Sequence, residues 1–483
     1  LKMSNYKTVF FTLGILLIIL GVAMIVPVAF QLIYNEFDHT FVISAIITIT
    51  FGILFFLSNI DHLKSISTQQ AFLLTALSWM SIAIFGSLPF FFSNLNLSIT
   101  DSFFESMSGI TTTGATILNN IENSPKGILI WRAMLQWLGG IGVILMAITL
   151  MPIMNIGGMQ LLKISSSDTS EKILPKSKQI SLRLITVYFS LTLMCSIFYK
   201  IFGMNFFDSI THSMTTIATG GFSNYDQSIG YFNNPFIEII SILFILLGSV
   251  PFILYIKFLS EDKKIIFKDE QVKLFFKLTL VSVVILFVYL AIVNNNIFEV
   301  HIRSVIFNVV SILTGTGYVT KEFDQWGNFP LIFFLILMFI GGCAGSTTCG
   351  IKVFRVHVLY YFVRNQLLKI IYPRAIINLK YNNNKVEDKL IASIISFIYL
   401  YILIFFVLAS LLTLTGLDFI TSISGAASSL SNVGPGLGSE IGPNSNYSGL
   451  PDQSKWLLTI GMILGRLEIF AILIIFLPSF WRK

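Results

Sequence analysis

Four short stretches of this 483-residue sequence align without gaps: "SMSGITTTGAT" at 106–116, "SMTTIATGGFS" at 213–223, "VVSILTGTGYV" at 309–319 and "AASSLSNVGPG" at 426–436. They share a glycine, Gly114, Gly221, Gly317 and Gly434. Six positions earlier each has a hydroxyl residue, Ser108, Thr215, Ser311 or Ser428, and four positions earlier an aliphatic one, Ile110, Ile217, Leu313 or Leu430. Glycine opens backbone torsions closed to other residues and puts no side chain in the way, so neighbouring carbonyl oxygens can be aimed at one point. A ring of four such loops would replace the hydration shell of a dehydrated cation. Internal repetition of this kind reveals architecture, which a single copy would not.

The elements that position these loops follow from hydropathy. The composition is 55% hydrophobic and 11% charged, against roughly 25% charged in soluble domains, and this is the composition of a membrane protein. Ten stretches are long and apolar enough to span, near 8–34, 39–60, 69–93, 127–152, 180–203, 235–259, 271–293, 329–362, 390–416 and 456–480. The first is too long for a signal segment and reads as a retained span. Lys and Arg collect in alternate connections: Lys163, Lys172, Lys176, Lys178 and Arg183; Lys257, Lys263, Lys264 and Lys268; and Lys352, Arg355, Arg364, Lys369, Arg374, Lys380, Lys385 and Lys389. The positive-inside rule makes these connections and both termini cytoplasmic. The four glycine loops then fall on the opposite face. An acidic residue, Asp101, Asp208, Glu299 or Asp418, opens a short apolar stretch before each loop and is expected to cap it. Each stretch is too short to cross. Irregular backbone at membrane depth survives only where it is buried in protein or lines a cavity, so the four loops should meet around a pore.

Other chemistries find no support in the residues. Cys195, Cys343 and Cys349 form no CxxC pair, and five histidines show no ligand spacing. No phosphate-cradling glycine loop is present, so nucleotide control needs another chain. The net charge of +7 belongs to the cytoplasmic anchors and not to nucleic-acid binding. No nucleophile stands beside a base, so no enzyme is indicated. Paired broken helices in two inverted halves, the mark of an alternating-access carrier, are also missing.

Two segments interrupt the apolar pattern. "GGCAGSTTCG" at 341–350 is either a close helix contact through small residues or a break in the 329–362 span; Cys343 and Cys349 read as packing residues, while Thr347 and Thr348 could face the pore. Arg466, placed in the middle of the last span, either pairs with a carboxylate on another helix or acts in the pore. Glu468, two residues on, is not its obvious partner. Arg132 and Gln136, one helical turn apart, read as structural polar contacts.

The four loops, "SNVGPGLG" at 431–438, "GGCAGSTTCGIK" at 341–352 and "GRLEIF" at 465–470 together resemble the Trk/Ktr/HKT superfamily of potassium transporters, and within it the bacterial TrkH branch, over nearly the whole chain. The two N-terminal spans, absent from KtrB subunits, favour TrkH. The resemblance implies an all-α polytopic fold: a two-helix segment at 1–67, then four helix, pore loop, helix repeats at 68–159, 177–260, 270–365 and 388–483 around a pseudo-fourfold pore. It implies a potassium filter built from Thr112, Thr113 and Gly114; Thr219, Gly220 and Gly221; Gly315, Thr316 and Gly317; and Asn432, Val433 and Gly434. In related plant transporters a serine at the first glycine goes with sodium preference, so Gly114 implies potassium. The resemblance further makes 341–350 an intramembrane gate, with Gly341, Gly342, Gly345, Ser346, Thr347, Thr348 and Gly350, together with Arg466 in the pore below the filter, whose charge opposes cation passage. It implies gated, channel-like potassium uptake across the bacterial inner membrane, with potassium symport coupled to proton or sodium as the alternative. It also implies a homodimer and a cytoplasmic TrkA-like nucleotide-binding ring, for which 163–183 and 352–389 are candidate docking surfaces. No cofactor is expected in this chain, and potassium is the substrate.

Overall fold

The computed structural model describes residues 6–59, 66–149, 173–260, 263–293, 302–374, 378–382 and 384–482. Helix dominates, and the one sheet among the described residues is the two-stranded turn pairing Lys380–Tyr381 with Asn384–Lys385. An N-terminal pair comes first: α1 (Lys7–Ala23) with its continuation α2 (Ile25–Ile33), then α3 (Thr40–Leu57). Between lipid-facing helices there is no hydrophobic drive to associate, so contact depends on close van der Waals approach at small residues. That approach occurs here: a methyl on Gly14 would stand 2.6 Å from Phe56 N, and one on Gly52 2.9 Å from Ile18 N.

Four units follow. The first holds α4 (Thr68–Gly86) with α5 (Leu88–Phe92), α6 (Ile99–Ile110) and α7 (Lys126–Thr149). In the second are α8 (Ile173–Ile201), α9 (Phe206–Ile217), α10 (Pro235–Gly248) and α11 (Phe252–Ser260). The third comprises α12 (Glu270–Val293), α13 (Ile302–Leu313), α14 (Asn328–Phe339) and α15 (Val353–Ile371), and the fourth α16 (Asp388–Leu414), α17 (Phe419–Ser431), α18 (Asp452–Arg466) and α19 (Ile469–Leu473). The chain is therefore an all-α membrane protein of four helix, short helix, helix repeats behind an N-terminal helix pair. The short helices α6, α9 and α13 have 12 residues and α17 has 13. At 1.5 Å per residue they reach about 18–20 Å, short of the roughly 30 Å of a bilayer core. They are buried almost throughout, α6 continuously from Ser102 to Ile110.

Several expectations need correction. Seven described helices are long and apolar enough to span, or nine if each of two sharply bent pairs counts as one. The stretch 329–362 is not a span: α14 ends at Phe339 and an irregular segment separates it from α15. The 456–480 stretch bends by 110° between α18 and the following helix, so Arg466 is the last residue of α18 and not mid-span. The 235–259 stretch bends by 86°, at Ser249–Pro251, where proline has no N–H to carry the helix on. Of the three of these acidic residues that are described, Asp418 alone is an N-cap, accepting from Ile420 N and Thr421 N. Ser98 and Asn205 cap α6 and α9, with Asp101 and Asp208 at the third helical position, where the cap side chain bonds their amides. A carboxylate there still favours the positive helix end. Glu299, Lys163 and Lys172 lie outside the described residues.

Candidate functional site

Each short helix ends in the same way. Its last turn is closed by a residue of positive φ: Thr112 (54°), Thr219 (49°), Gly315 (69°) and Asn432 (54°). The next amide donates to the carbonyl five residues back, Thr113 to Ser108 and Gly220 to Thr215 at 2.9 Å, Thr316 to Ser311 at 2.8 Å and Val433 to Ser428 at 2.9 Å. The positive-φ residue donates to the carbonyl three back, at 2.9, 3.0, 3.0 and 3.3 Å in chain order. This pair of bonds is the Schellman motif, which satisfies orphan helix carbonyls and turns the chain out of the helix. The aligned hydroxyl position thus supplies, through its backbone, the carbonyl that closes each turn. Three of the four hydroxyls add a bond: Ser428 Oγ donates to Gly434 O at 2.9 Å, Ser311 Oγ to Tyr318 O at 2.6 Å, and Thr215 Oγ1 is bonded to the Tyr318 hydroxyl at 2.5 Å. Threonine at positive φ is strained by about 1–3 kcal/mol, a cost typical of functional backbone.

The shared glycines come two residues later, again at positive φ (84°, 79°, 81° and 107°), while Thr113, Gly220, Thr316 and Val433 between them are not. Alternation in the sign of φ turns successive carbonyls to the same side of a strand. The four loops close into a ring. A methyl on Gly114 would lie 2.2 Å from Gly220 O, one on Gly221 1.9 Å from Thr316 O, one on Gly317 2.0 Å from Val433 O, and one on Gly434 2.7 Å from Thr113 O. Each loop thus sets a carbonyl against the glycine of the loop before it, and the fourth meets the first. The structure brings together all twelve residues expected at the filter. Above the ring, a cavity of about 60 Å³ is lined by residues including Thr116, Phe222, Asp226 and Tyr447. Asp226 accepts from Ile121 N at 3.2 Å, and burial holds its carboxyl above the usual range, reinforced by nearby Glu122.

Polar residues behind the ring fix the loops. Arg132 in α7, read from sequence only as a structural contact, is fully buried; its Nε lies 2.7 Å from Glu105 Oε1, and its other nitrogens donate to Ser223 O (2.9 Å) and Thr116 Oγ1 (3.0 Å). Glu105 also accepts from Ile117 N at 2.9 Å. Gln136, one turn on, donates to Gly220 O at 2.6 Å and accepts from Phe222 N at 3.1 Å. His212 joins Asp208 O (2.9 Å) to Ser223 Oγ (3.0 Å), and Asp208 accepts from Asn224 (2.7 Å) and Tyr225 (2.7 Å). Sequence reading missed Glu105 and His212. The signal for Glu105 was available: two opposite intramembrane charges in adjacent segments call for each other.

Below the ring, residues 341–349 are buried. The segment is tied at its base by Gly341 N to Ile351 O and Ile351 N to Phe339 O, both 2.9 Å. It is pinned on one side by Cys343 N to Ser249 O (3.2 Å), Phe252 N to Gly345 O (2.9 Å) and Ala344 N to Gln271 Oε1 (2.9 Å). Thr347 reaches up to the second loop: its hydroxyl donates to Ile217 O (3.1 Å) and Gly248 O (3.0 Å) and receives from Thr219 Oγ1 (3.1 Å). Thr348 does not face a pore. Its hydroxyl turns into the segment, bonded to Gly342 N (3.1 Å), Ser346 Oγ (2.8 Å) and Lys352 Nζ (3.3 Å). Arg466, 3% exposed, donates to Thr347 O at 3.2 Å, to Cys349 Sγ, and to Gly139 O at 2.9 Å. No carboxylate lies within ion-pair distance of it among the described residues. Cys349 therefore does more than pack.

Glu468 pairs instead with Arg355, at 2.6 Å, with the guanidinium 3.8 Å from the Phe397 ring centre. Arg355 is 1% exposed, and Lys352 bends back to Thr348, so neither belongs to a solvated docking loop. The expected 352–389 surface is smaller by these two charges. Glu468→Ala removes the carboxylate paired with a buried guanidinium and should destabilise the fold by about 3–5 kcal/mol. The double variant Arg355→Met with Glu468→Leu should recover most of that. Thermal unfolding in detergent measures both, and equal losses in the single and double variants would show that the cost does not come from a buried charge left without its carboxylate.

Residues 38–483 match the TrkH family, described as cation transport protein. The chain is 39% identical over 473 residues to the Trk system potassium uptake protein TrkI of Halomonas elongata, covering 98% of this chain and 96% of that one. It is 34% identical to the Trk system potassium uptake protein TrkH of Escherichia coli (strain K12), over 99% and 100% of the two chains. The crystal structure of the potassium transporter TrkH from Vibrio parahaemolyticus superposes with a TM-score of 0.89 at 33% identity, covering 99% of this chain and 100% of that one.

Proposed function

The chain belongs to the TrkH family of cation transport proteins, and from that membership we propose that it takes up potassium through the ring of four loops. The observation that carries the reading is the closed contact of each shared glycine with the next loop's carbonyl. Carbonyl dipoles replace the hydration shell of a cation, and their number and spacing set its preference. The last carbonyls of α6, α9, α13 and α17 add the negative ends of four helix dipoles below the ring. Each unit supplies one loop, within 68–159, 177–260, 270–365 and 388–483.

The segment 341–350 and Arg466 form the gate. The segment fills the volume beneath the second loop, and Arg466 holds it while opposing cations by charge. Uptake needs no chemistry in this chain: an inside-negative potential of about 100 mV is worth about 2.3 kcal/mol per ion, nearly a fiftyfold gradient. Control by nucleotide resides in a second, cytoplasmic ring subunit, because no phosphate-cradling loop exists in the sequence. The membrane chain works as a homodimer in a bacterial inner membrane, with its basic loops inside.

Purified chain in proteoliposomes tests the reading. A potassium gradient should give a current that reverses at the potassium equilibrium potential, unchanged by ATP or ADP until the ring subunit is added. Reversal displaced by a proton or sodium gradient would replace the channel-like reading with symport. Absence of potassium flux with the ring subunit present would sink both.

A further inference from the structure

We propose that Gln136 is a selectivity-determining residue, a positioning residue that acts on the ion through the Gly220 carbonyl. The inference rests on the ring being the filter and adds a residue outside the loops to it. Gln136 is 0% exposed, and its two bonds straddle Gly221: Nε2 to Gly220 O at 2.6 Å, and Phe222 N to Oε1 at 3.1 Å. The amide has one workable orientation, because the flipped side chain would set oxygen against oxygen and donor against donor. The loop lies directly on it; a methyl on Gly220 would stand 2.4 Å from Gln136 Oε1.

Gly220 O is also the oxygen that abuts Gly114 in the ring. At the equivalent positions, Thr113 O, Thr316 O and Val433 O accept no side-chain hydrogen bond among the described residues. The ring is thus lopsided, with three carbonyls free to follow the ion and one held. A carbonyl that accepts a short amide hydrogen bond presents a weaker field to a cation and cannot swing inward. A ring that cannot contract on that side leaves a smaller ion under-coordinated, which penalises sodium more than potassium. Arg132, one turn away on the same helix, holds Ser223 O at 2.9 Å, so the residues on both sides of Gly221 are anchored to one rigid element.

Bi-ionic potassium and sodium reversal potentials of purified protein in proteoliposomes test this with two near-isosteric variants. Gln136→Met removes donor and acceptor while keeping length, and its potassium to sodium permeability ratio should fall by about threefold or more. Gln136→Glu, protonated at about pH 5.5 in this buried place, offers a hydroxyl donor and a carbonyl acceptor where the amide had them, and should keep the parent's ratio there. That rescue by hydrogen-bonding pattern is what a packing role would not produce. A parental ratio in Gln136→Met overturns the proposal, as does an equal loss in both variants at acid pH. Should Gln136→Met fail to reach the membrane, Gln136→Leu replaces it in the same comparison. If the parent itself carries no potassium, it is the reading of the ring that fails, whatever Gln136 does.

Discussion

Gly114→Ser should lower the potassium to sodium permeability ratio by about tenfold or more, equivalent to about 1.4 kcal/mol of discrimination. Two separate costs fall on the substitution. Gly114 has φ +84°, where a residue with a Cβ is strained by about 1–3 kcal/mol. The new Cβ would also lie 2.2 Å from Gly220 O, well inside contact distance, so the second loop's carbonyl must move away. Because the ring is closed, that displacement is passed on: Gly221 stands against Thr316 O, and Gly317 against Val433 O. Gly449→Ser is the control, since nothing lies within 4 Å of a side chain there, and a surface change of that kind should cost under about 0.5 kcal/mol. Reversal potentials in mixed salts read the ratio. An unaltered ratio in folded Gly114→Ser would remove the four loops from the filter.

Arg466→Ala should raise basal potassium flux. At an effective dielectric near 20, a cation about 4 Å from the guanidinium feels roughly 4 kcal/mol of repulsion, an upper figure for a pore holding water. The structure disposes of the competing explanation through a lost ion pair, because Glu468 is committed to Arg355. Removing the arginine orphans no carboxylate among the described residues. It does leave Thr347 O and Gly139 O without their donor, at about 1–3 kcal/mol for each buried group left unpaired. Loosening Thr347 frees the segment, so both effects act in the same direction. Arg466→Lys keeps the charge and loses the fork, and should raise flux less than Arg466→Ala. If the segment blocks by volume, as proposed, deletion within 341–350 should raise flux even with the arginine kept. Rubidium uptake per amount of folded protein, in cells lacking other potassium uptake, decides between them; no rise in normally expressed Arg466→Ala would take the arginine out of the gate.

The amino-acid sequence by itself determined that the chain lives in a membrane, because its apolar stretches cannot be buried any other way, and that four equivalent loops end short buried helices. Both are local properties. Hydropathy is written in consecutive residues, and a Schellman turn with its later glycine occupies seven positions in a row, so repetition made it visible. Tertiary structure alone decided what the loops and charges do to one another. That the loops close into a ring, Gly434 meeting Thr113 O across more than 300 residues, depends on the packing of four separate units. The charges show the same division most clearly. Arg355 looked like one more basic anchor in a run of them, and Glu468 like a neighbour of Arg466, yet the bend after Arg466 carries Glu468 to Arg355 and leaves Arg466 to the intramembrane segment. Gln136 read as a structural polar contact but carried no signal for the ring, because an amide on an apolar helix has the same composition whether it faces a neighbouring helix or a carbonyl of the ring. Which of these it is depends on the rotation of α7 against the second loop, and that is set by side chains drawn from both.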